Sequence, residues 1–336
     1  MSIKSVLIIR CGALGDLVYA TSVIEALRQE YGEGINIDFV STPGSASLFK
    51  DDSRVRKVFH LKHKKIPIFF SKDKKNIINY SKENEYDLLI NFESGKQFKS
   101  LLLAINAKKK IGEHFNTKSI PSHITHVVEI TKLIFKEIVS KEVFDSSFPK
   151  LFGTDKEKAK KRYDLDDKYI IISPSNSHQK KNRLNYRAWE NRSWIELIEL
   201  LSRDIQVVIV GNKNEDEFFN KLKPYPKNVV DLVAKTPLSD LIGVIDGAVG
   251  LIATDTGTAH IASALNTEVF ALIGPTPANV TGPYQSPFNR VHIISLGLEC
   301  SPCYKTEVMK KCKDNICMSG ISSSKVYETI VSANIL

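Results

Sequence analysis

Short apolar runs alternate with amphipathic segments along the first half of the chain. Continuous runs rich in Val, Ile and Leu are typical of strands buried on both faces of a sheet. Segments with an apolar residue every three or four positions are typical of helices that cover such a sheet. The predicted strands are 6–10, 35–41, 55–61 and 87–91, and the predicted helices are 17–30, 99–107 and 124–139. This alternation predicts parallel strands with helices on both faces.

The same plan restarts in the second half, after residues 145–167, which lack a strong apolar pattern. That stretch contains Pro149 and the charged run 156–162, so we interpret it as a domain boundary. The strands predicted beyond it are 169–173, 206–210, 229–232, 249–253 and 269–273, and the helices are 193–201, 238–246 and 322–333. Ser193 and Glu196 form a capping-box pattern at the start of the first of these helices.

The length and composition are those of an ordinary two-domain globular protein. A chain of 336 residues is too long for one compact core. The predicted domains are 1–155 and 156–320, and a C-terminal helix within 321–336 is expected to pack back across both. No apolar run approaches the roughly 20 residues that cross a bilayer. The first run ends at Arg10 and is too short for a signal peptide, so we expect a cytoplasmic protein.

The net charge of +9 is unevenly distributed. Residues 1–155 carry 24 Lys and Arg against 18 Asp and Glu, a net charge of +6. A solvated surface explains such clusters as readily as an anionic partner does. An anionic partner of the first domain would be a membrane surface or a phosphorylated acceptor. No nucleic-acid-binding motif is present, so nucleic acid is not an expected partner.

Four of the five cysteines follow the pattern C-x2-C-x8-C-x4-C near the end of the chain. These four are Cys300, Cys303, Cys312 and Cys317. A C-x-x-C turn can bring two thiolates to one zinc or iron ion. The second pair lacks this tight spacing, and small buried thiols in a loop are the alternative explanation. No metal is assigned, and a structural role is favoured over a catalytic one.

Three loops that follow predicted strands of the second half are rich in polar groups. They contain Ser173 and Ser175, then Asn212 and Glu215, then Asp255, Thr256, Gly257, Thr258 and His260. Ligands of open α/β sheets bind outside the carboxyl ends of the strands. A helix that starts near Thr258 would direct free N–H groups at an anion. Plain helix capping explains Asp255 and the threonines too, but three such loops in one domain predict a diphosphate site.

The first predicted strand leads into a turn that ends at Asp16, at the start of the first helix. A carboxylate there is stabilised by about 0.3–1 kcal/mol through the helix dipole, so capping is one interpretation. The other is that Asp16 accepts the proton of an acceptor hydroxyl as a general base. The Gly12 and Gly15 spacing fits neither G-x-G-x-x-G nor a P-loop, which disfavours a dinucleotide-dependent dehydrogenase.

These segments together resemble glycosyltransferase family 9, the lipopolysaccharide heptosyltransferases, over most of the chain. The likeness includes GALGDLVYATSVIEALRQEYG at 12–32, SPSNS at 173–177 and GNKNEDEF at 211–218. It continues through DTGTAHIASALNTEVFALIGPTPANVTGPY at 255–284 and the cysteine-containing tail. The motifs are specific for the family rather than for one member.

The resemblance implies a GT-B fold, in which two Rossmann-like α/β domains with parallel sheets face a central cleft. The first domain would bind the acceptor and the second the nucleotide sugar, typically ADP-L-glycero-D-manno-heptose (ADP-heptose). Transfer would be inverting and metal-independent, with no cofactor. The acceptor would be a Kdo- or heptose-bearing lipid A core of lipopolysaccharide or lipooligosaccharide. The protein would then be cytoplasmic and peripheral on the inner face of the inner membrane.

The resemblance also assigns roles to single positions. Asp16 falls on the family's proposed general base. The implied substrate-binding positions are Gly15, Ser173, Ser175, Asn212, Asp255, Thr256, Gly257, Thr258 and His260. Glu215 or Glu217 falls near the acid that contacts the nucleoside. The family usually has Lys where Arg187 stands, so Lys180 or Lys181 is the alternative cation for the diphosphate.

Two other readings of the sequence stay open. One keeps the fold and changes the chemistry, to a family-9 transferase for another nucleotide sugar or acceptor, or to a nucleotide-sugar 2-epimerase. An epimerase would need further acid and base residues, for which only His260 is a candidate. The other is a non-catalytic nucleotide-binding protein, against which the presence of Asp16 argues.

Overall fold

A computed structural model describes residues 3–62, 65–115, 120–175 and 184–336. The chain divides into two compact units, Met1–Gly153 and Thr154–Leu336, close to the predicted boundary at residue 155. Each unit is built on one parallel sheet flanked by helices, as the alternation of apolar runs and amphipathic segments predicts. Within the described ranges, no helix combines the length and apolar character needed to span a bilayer.

The first unit contains five strands and a set of short helices. The strands are β1 (Ser5–Ile9), β2 (Asn36–Ser41), β3 (Lys57–His60), β4 (Tyr86–Asn91) and β5 (Ala107–Gly112). The α-helices are α1 (Leu14–Ala20), α2 (Ser22–Tyr31), α3 (Lys72–Glu83), α4 (Lys99–Ala104), α5 (Val127–Leu133) and α6 (Lys141–Ser146). Single 3-10 turns cover Ala46–Phe49, Ile68–Phe70, Lys96–Phe98 and Lys136–Ile138. The sheet order is β3-β2-β1-β4-β5.

The second unit contains six strands. They are β6 (Tyr169–Ser173), β7 (Gln206–Ile209), β8 (Val229–Asp231), β9 (Gly250–Thr254), β10 (Glu268–Leu272) and β11 (Val291–Ile294). Its longer helices are α7 (Lys156–Tyr163), α8 (Asn191–Leu201), α10 (Leu238–Asp246) and α15 (Ser323–Ser332). Its shorter helices are α9 (Asp216–Asn220), α11 (Gly257–Ser263), α12 (Ala278–Thr281), α13 (Glu307–Lys311) and α14 (Ile316–Ser319), with a 3-10 turn at Lys213–Glu215. The sheet order is β11-β10-β9-β6-β7-β8.

Both sheets reverse direction at the same point of their topology. In the first unit the chain builds β1, β2 and β3 outward on one side, then returns to place β4 on the other side of β1. In the second unit it builds β6, β7 and β8, then places β9 on the other side of β6. The crevice outside the carboxyl ends of such a strand pair is where ligands of doubly wound sheets bind. Each unit therefore has one such position.

Several predicted elements differ in detail from the structure. The helix predicted over 17–30 is two helices, α1 and α2, which meet at Thr21. The Thr21 hydroxyl donates to the Val18 carbonyl at 2.7 Å and accepts the Lys150 N–H at 3.0 Å. A Ser or Thr hydroxyl that bonds back to the preceding turn competes with the helical ladder, which accounts for the break.

The predicted linker is partly helical, because α7 covers the charged run. The Asp155 carboxylate caps α7 by accepting the Lys158 N–H at 3.1 Å, and the buried Ala159 faces Gly243 of α10. The stretch 145–167, which we interpreted as a domain boundary, therefore contains the division between the units and a helix. Helix α8 begins at Asn191, with Glu190 as its N-cap, so Ser193 lies inside the helix rather than capping it.

The second unit's core includes its C-terminal helix. Val326 and Ile330 of α15 are buried with Leu197 and Leu201 of α8. The Trp189 indole N–H donates to the Ile321 carbonyl at 2.8 Å and fixes the chain just before α15. The predicted packing of this helix across both domains stays a prediction.

Candidate active site

The two central strands of the second unit end in a cluster of hydroxyl groups. Ser173 is the last residue of β6 and pairs with Ala253 of the neighbouring β9. The Thr258 hydroxyl, on the first turn of α11, donates to the Ser173 hydroxyl at 2.7 Å. This bond joins the loop after β6 to the loop after β9 at the point where the strand order reverses. The structure thus brings two of the predicted binding segments together.

Asp255 follows β9 and is held by two cationic or ionisable side chains. Its Oδ2 lies 3.2 Å from the Arg187 Nη1, which also reaches the Asp255 carbonyl at 3.5 Å. The His260 Nε2 lies 3.9 Å from the other carboxylate oxygen. Asp255 and His260 are both buried. Asp255 therefore positions Arg187 and His260 rather than presenting a free carboxylate to a ligand.

Arg187 retains hydrogen-bonding capacity at this site. Its guanidinium lies 4.4 Å from the centroid of the Tyr304 ring. Its Nε atom is buried and has no hydrogen-bond partner among the described residues. A buried donor without a partner is costly, and an anionic ligand would satisfy it. Arg187 is therefore a candidate for contact with an anion.

The first turn of α11 is not closed by a capping side chain. Thr256 is its N-cap, and the Thr256 hydroxyl makes no capping hydrogen bond. The first N–H groups of a helix have no partner inside the helix. Gly257, the first helical residue, leaves the backbone open to close approach by a ligand. Thr256 and Gly257 are partly exposed, in contrast to the buried Ala259 behind them.

A second hydroxyl and carboxylate pair lies beyond β6 and β7. The Ser175 hydroxyl donates to Glu215 Oε2 at 2.5 Å, and the Asn212 N–H donates to the same oxygen at 3.1 Å. Between the two acids that the sequence left open, the structure places Glu215 with the other predicted residues. Glu217 instead faces solvent, where its carboxylate lies 3.6 Å from the Lys221 ammonium. Lys180 and Lys181 lie outside the described residues.

Asp16 lies at the corresponding reversal point of the first unit. Its Oδ2 accepts the Ala13 N–H at 2.9 Å, which confirms the predicted helix capping. Its Oδ1 lies 3.0 Å from the Arg10 Nη2, and its side chain remains 37% exposed. A Cβ on Gly12 would lie 2.5 Å from the Asp16 carboxylate, so a larger residue there would displace the Asp16 side chain. Gly15 is buried beneath the same turn.

Two residues of this cluster escaped the sequence analysis. Arg10 ends the first apolar run and also donates to the Phe92 carbonyl at 2.8 Å. Glu93 follows β4, is buried, and accepts the Cys11 N–H at 2.7 Å. Arg10 and Glu93 also approach each other, at 3.6 Å. A charged residue one or two positions after each of two buried strands was the available signal, but only the strand order shows that β1 and β4 are neighbours.

The cysteines of the tail are near one another without forming a ligand set. Burial, with a smaller contribution from the other three thiols, raises the pKa of Cys317 to about 11. Burial also raises the pKa of Cys303, while Cys300 is exposed. Across the described ranges, no group of three or more His, Cys, Asp or Glu side chains is arranged to hold a metal ion.

Each of the two units is a parallel α/β sheet with polar residues at its strand-order reversal, and this architecture matches the GT-B fold of solved heptosyltransferase structures. A family model described as glycosyltransferase family 9 (heptosyltransferase) matches residues 79–313. The chain therefore belongs to glycosyltransferase family 9.

Sequence relatives and solved structures agree with this assignment. The chain is 24% identical to lipopolysaccharide heptosyltransferase 3 of Escherichia coli K12 over 78% of its own length and 80% of that protein. It is 24% identical to lipopolysaccharide heptosyltransferase 1 of Pseudomonas aeruginosa over 89% of its own length and 86% of that protein. The structure of E. coli ADP-heptose lipopolysaccharide heptosyltransferase II superposes with a TM-score of 0.76 at 18% identity, covering 98% of both chains. The last comparison establishes the fold alone.

Proposed function

We propose that this protein transfers a heptosyl residue from ADP-heptose to a hydroxyl of a lipopolysaccharide core acceptor. The relatives named above are heptosyltransferases, and one is an ADP-heptose enzyme. The observation that carries the proposal is the cluster at the end of β6 and β9. There Arg187, whose Nε has no hydrogen-bond partner among the described residues, Thr256, Thr258 and an uncapped helix start follow the two central strands, which supports a diphosphate site.

In the proposed donor site, each group meets one part of the nucleotide sugar. Arg187, Thr256, Thr258 and the N–H groups at Gly257 hold the diphosphate. Glu215, held by Ser175 and the Asn212 backbone, accepts hydrogen bonds from hydroxyls of the nucleoside. Ser173 fixes Thr258, and Asp255 fixes Arg187 and His260.

The proposed reaction is a single displacement with inversion. The acceptor oxygen attacks the anomeric carbon of the heptose, and the bond from that carbon to the diphosphate oxygen breaks. The acceptor proton passes to the Asp16 carboxylate, and ADP leaves with the electron pair. Positive groups around the diphosphate stabilise the negative charge that develops on it. In metal-dependent enzymes a divalent cation has this role. The reaction is therefore proposed to need no metal and no cofactor.

The acceptor and location follow from the same proposal. A lipopolysaccharide core under construction is attached to lipid A, so its sugar hydroxyls lie at the inner face of the inner membrane. The Kdo- or heptose-bearing lipid A core is thus the proposed acceptor, and the enzyme is proposed to be cytoplasmic and peripheral. The excess positive charge of the first unit suits an anionic, phosphorylated acceptor.

Two measurements on the full chain test the proposal. Calorimetric titration with ADP, UDP, GDP and NAD in the presence of EDTA is expected to show selective binding of ADP. Mass spectrometry of reactions with ADP-heptose and a lipid A core acceptor is expected to show addition of one heptose. A preference for UDP or GDP would contradict the donor assignment, and failure of all four nucleotides to bind would contradict the enzyme assignment.

Asp16→Asn is the test of the catalytic assignment. The amide cannot accept the acceptor proton, so kcat is expected to fall by about 10²–10⁴-fold, while ADP affinity stays unchanged. Asp51→Asn, at an exposed position of the same unit, is the matched control. Full activity of Asp16→Asn would remove the general-base assignment.

A further inference from the structure

The first unit carries an exposed apolar projection that the donor and acceptor chemistry does not use. The 3-10 turn Ile68–Phe70 presents Phe69 and Phe70, which are 79% and 80% exposed. Nearby, Leu103 at the end of α4 is 65% exposed, and Ile66 is also exposed. Two adjacent phenylalanines left in water are unfavourable unless something covers them.

This projection is held in place by a buried lysine. Lys74 on α3 is only 4% exposed, and its ammonium donates to the Ile66 carbonyl at 2.9 Å and the Gln97 carbonyl at 3.4 Å. Burial lowers the pKa of Lys74. The Ser71 hydroxyl caps α3 by accepting the Lys74 N–H at 3.3 Å, directly after the phenylalanine pair. The loop before α3 is thus tied to the turn before α4.

Lysines surround the apolar residues. A cavity of about 720 Å³ between the two segments is lined by Lys65, Lys96, Lys99, Ile66 and Leu103, with Lys74 at its base. Lys72 and Lys75 follow the phenylalanines on α3 and are exposed. Among the described residues, none of the exposed lysines named here forms an ion pair. Asp73, the acidic residue between Lys72 and Lys74, accepts the backbone N–H of Lys62 at 3.1 Å.

We propose that this aromatic–lysine surface, made of Ile66, Phe69, Phe70 and Leu103 with Lys65, Lys72, Lys75, Lys96 and Lys99, docks on an anionic lipid bilayer. Phenylalanines and leucines of interfacial segments insert at the boundary between headgroups and acyl chains. Lysines beside them bind anionic headgroups without being buried. The protruding apolar groups suit the acyl-chain boundary of a bilayer, and the exposed lysines around them suit its anionic headgroups.

This inference rests on the proposed function, because a lipid-linked acceptor requires the enzyme to work at a bilayer. It adds the surface that makes the contact. It also predicts that docking is local to the first unit, since another exposed aromatic residue, Phe288, lies in the second unit within a lysine-free stretch, 276–304.

The first test measures binding of the full-length protein to vesicles by flotation. Vesicles of phosphatidylethanolamine and phosphatidylglycerol are compared with vesicles of phosphatidylcholine alone. The wild-type protein is expected to bind the anionic vesicles only, and to release as salt is raised. Phe69→Ser with Phe70→Ser is expected to weaken this binding by about tenfold or more, because the inserted apolar groups are lost. Phe288→Ser, the matched control, is expected to bind like wild type.

A triple variant tests the charges separately. Lys65→Gln, Lys72→Gln and Lys96→Gln together are expected to weaken binding to anionic vesicles about tenfold or more, since each removes one headgroup contact. The control replaces Lys168 and Lys227, two exposed lysines of the second unit, with Gln. Equal loss in the control, or equal binding to neutral vesicles, would overturn the proposal.

A fluorescent reporter places the contact. Both natural tryptophans, Trp189 and Trp194, are buried in the second unit. In Phe70→Trp, the emission is expected to shift to shorter wavelength on addition of anionic vesicles and to be quenched by brominated lipid. In Phe288→Trp, neither change is expected. An unquenched Phe70→Trp in the presence of bound vesicles would show that another surface docks, which overturns the assignment.

Two controls separate this inference from the proposed function. ADP titration reports on the second unit, and transfer to an acceptor stripped of acyl chains needs no bilayer. The phenylalanine variants are expected to keep ADP binding and transfer to the acceptor without acyl chains. They are expected to lose transfer to an acceptor embedded in vesicles. If wild type binds vesicles through this surface and yet binds no ADP, the docking surface stands and the proposed function fails. If ADP binds and vesicles do not, the reverse holds.

Discussion

At the scale of the residue, two arginines each hold an aspartate beside the end of a central strand. Arg10 bridges Asp16 and the carbonyl after β4, and Arg187 bridges the carboxylate and the carbonyl of Asp255. Each guanidinium makes contacts in more than one direction, which a lysine ammonium cannot reproduce with the same geometry. These arginines therefore fix side-chain positions as well as supplying charge.

Arg10 is predicted to position the proposed base. In Arg10→Ala, Asp16 keeps its capping bond to the Ala13 N–H and loses its bridge to β4. We expect kcat to fall about 10- to 100-fold, with the Kd for ADP unchanged, because misplacement of a reacting group is costly. Added guanidinium is expected to restore part of the lost kcat. Arg28→Ala, at a surface pair with Glu33, serves as the control.

A purely structural Arg10 would give a different pattern. Arg10→Ala would then lower the thermal midpoint and leave kcat of the folded fraction unchanged. Guanidinium would have no effect on the rate. Either result would remove Arg10 from the proposed mechanism.

Arg187 is predicted to bind the diphosphate and not the nucleoside. Arg187→Lys keeps the charge and loses the planar array of donors, so ADP binding is expected to weaken about tenfold. Adenosine, which carries no phosphate, is expected to bind equally to both proteins. Calorimetric titration with each ligand measures the difference, and Arg192→Lys, at an exposed pair on α8, is the control. Equal weakening for adenosine and ADP would argue against a diphosphate contact.

At the scale of the element, the start of β1 depends on a carboxylate from its neighbour. Asp87 of β4 accepts the backbone N–H groups of Lys4 and Ser5 at 2.9 and 3.1 Å, and its other oxygen meets the Lys108 ammonium of β5 at 2.9 Å. One side chain thereby joins three adjacent strands. The Lys108 hydrogen bond and those from the backbone lower the pKa of Asp87 from 3.8 to about 2.

The stability of the first unit is predicted to depend on this carboxylate. A lowered pKa in the folded state means that the ionised form stabilises the fold above pH 3.8, and that this contribution is lost as the pH falls toward 2. Asp87→Asn is expected to lower the free energy of unfolding by about 1 kcal/mol at neutral pH. The difference from wild type is expected to shrink as the pH falls through that window.

Urea unfolding followed by circular dichroism at neutral and acid pH measures this difference. Asp145→Asn, which breaks an exposed pair with Lys141 on α6, is the control and should change little. A gap between Asp87→Asn and wild type that is constant with pH would show that the carboxylate's charge is not the cause.

At the scale of the whole molecule, the chain uses the same doubly wound plan twice. Each unit has its strand-order reversal between its first and fourth strands, and each reversal carries its own polar cluster. The clusters differ in chemistry. That of the first unit is acidic with one arginine. That of the second offers hydroxyls, N–H groups and the Arg187 Nε, which has no hydrogen-bond partner within the part of the chain that the structure describes. This division suits a proposed base in one unit and a proposed diphosphate site in the other.

Local sequence pattern is sufficient to predict the class of fold and most of the buried strands. Buried strands such as β1 and β9 are continuous apolar runs, and the polar residues directly after them mark strand ends, so local pattern was sufficient there. Two strands were missed, β5 and β11. Both lie at sheet edges, where a strand is half solvated and need not form an apolar run. In β5 the lysines at 108–110 hide the strand from a search for apolar runs.

The spatial order of the strands, and therefore which strand ends are neighbours, is visible in the tertiary structure alone. The pairing of β1 with β4 and of β6 with β9 joins segments about 80 residues apart, and no local pattern encodes it. The Arg10–Asp16–Glu93 cluster and the Arg187–Asp255 pair depend on these two pairings. The contact between Ser175 and Glu215 depends on the pairing of β6 with β7. The aromatic–lysine surface has the same origin, since α4 and the phenylalanine turn meet only once β3, β4 and the intervening α3 are packed.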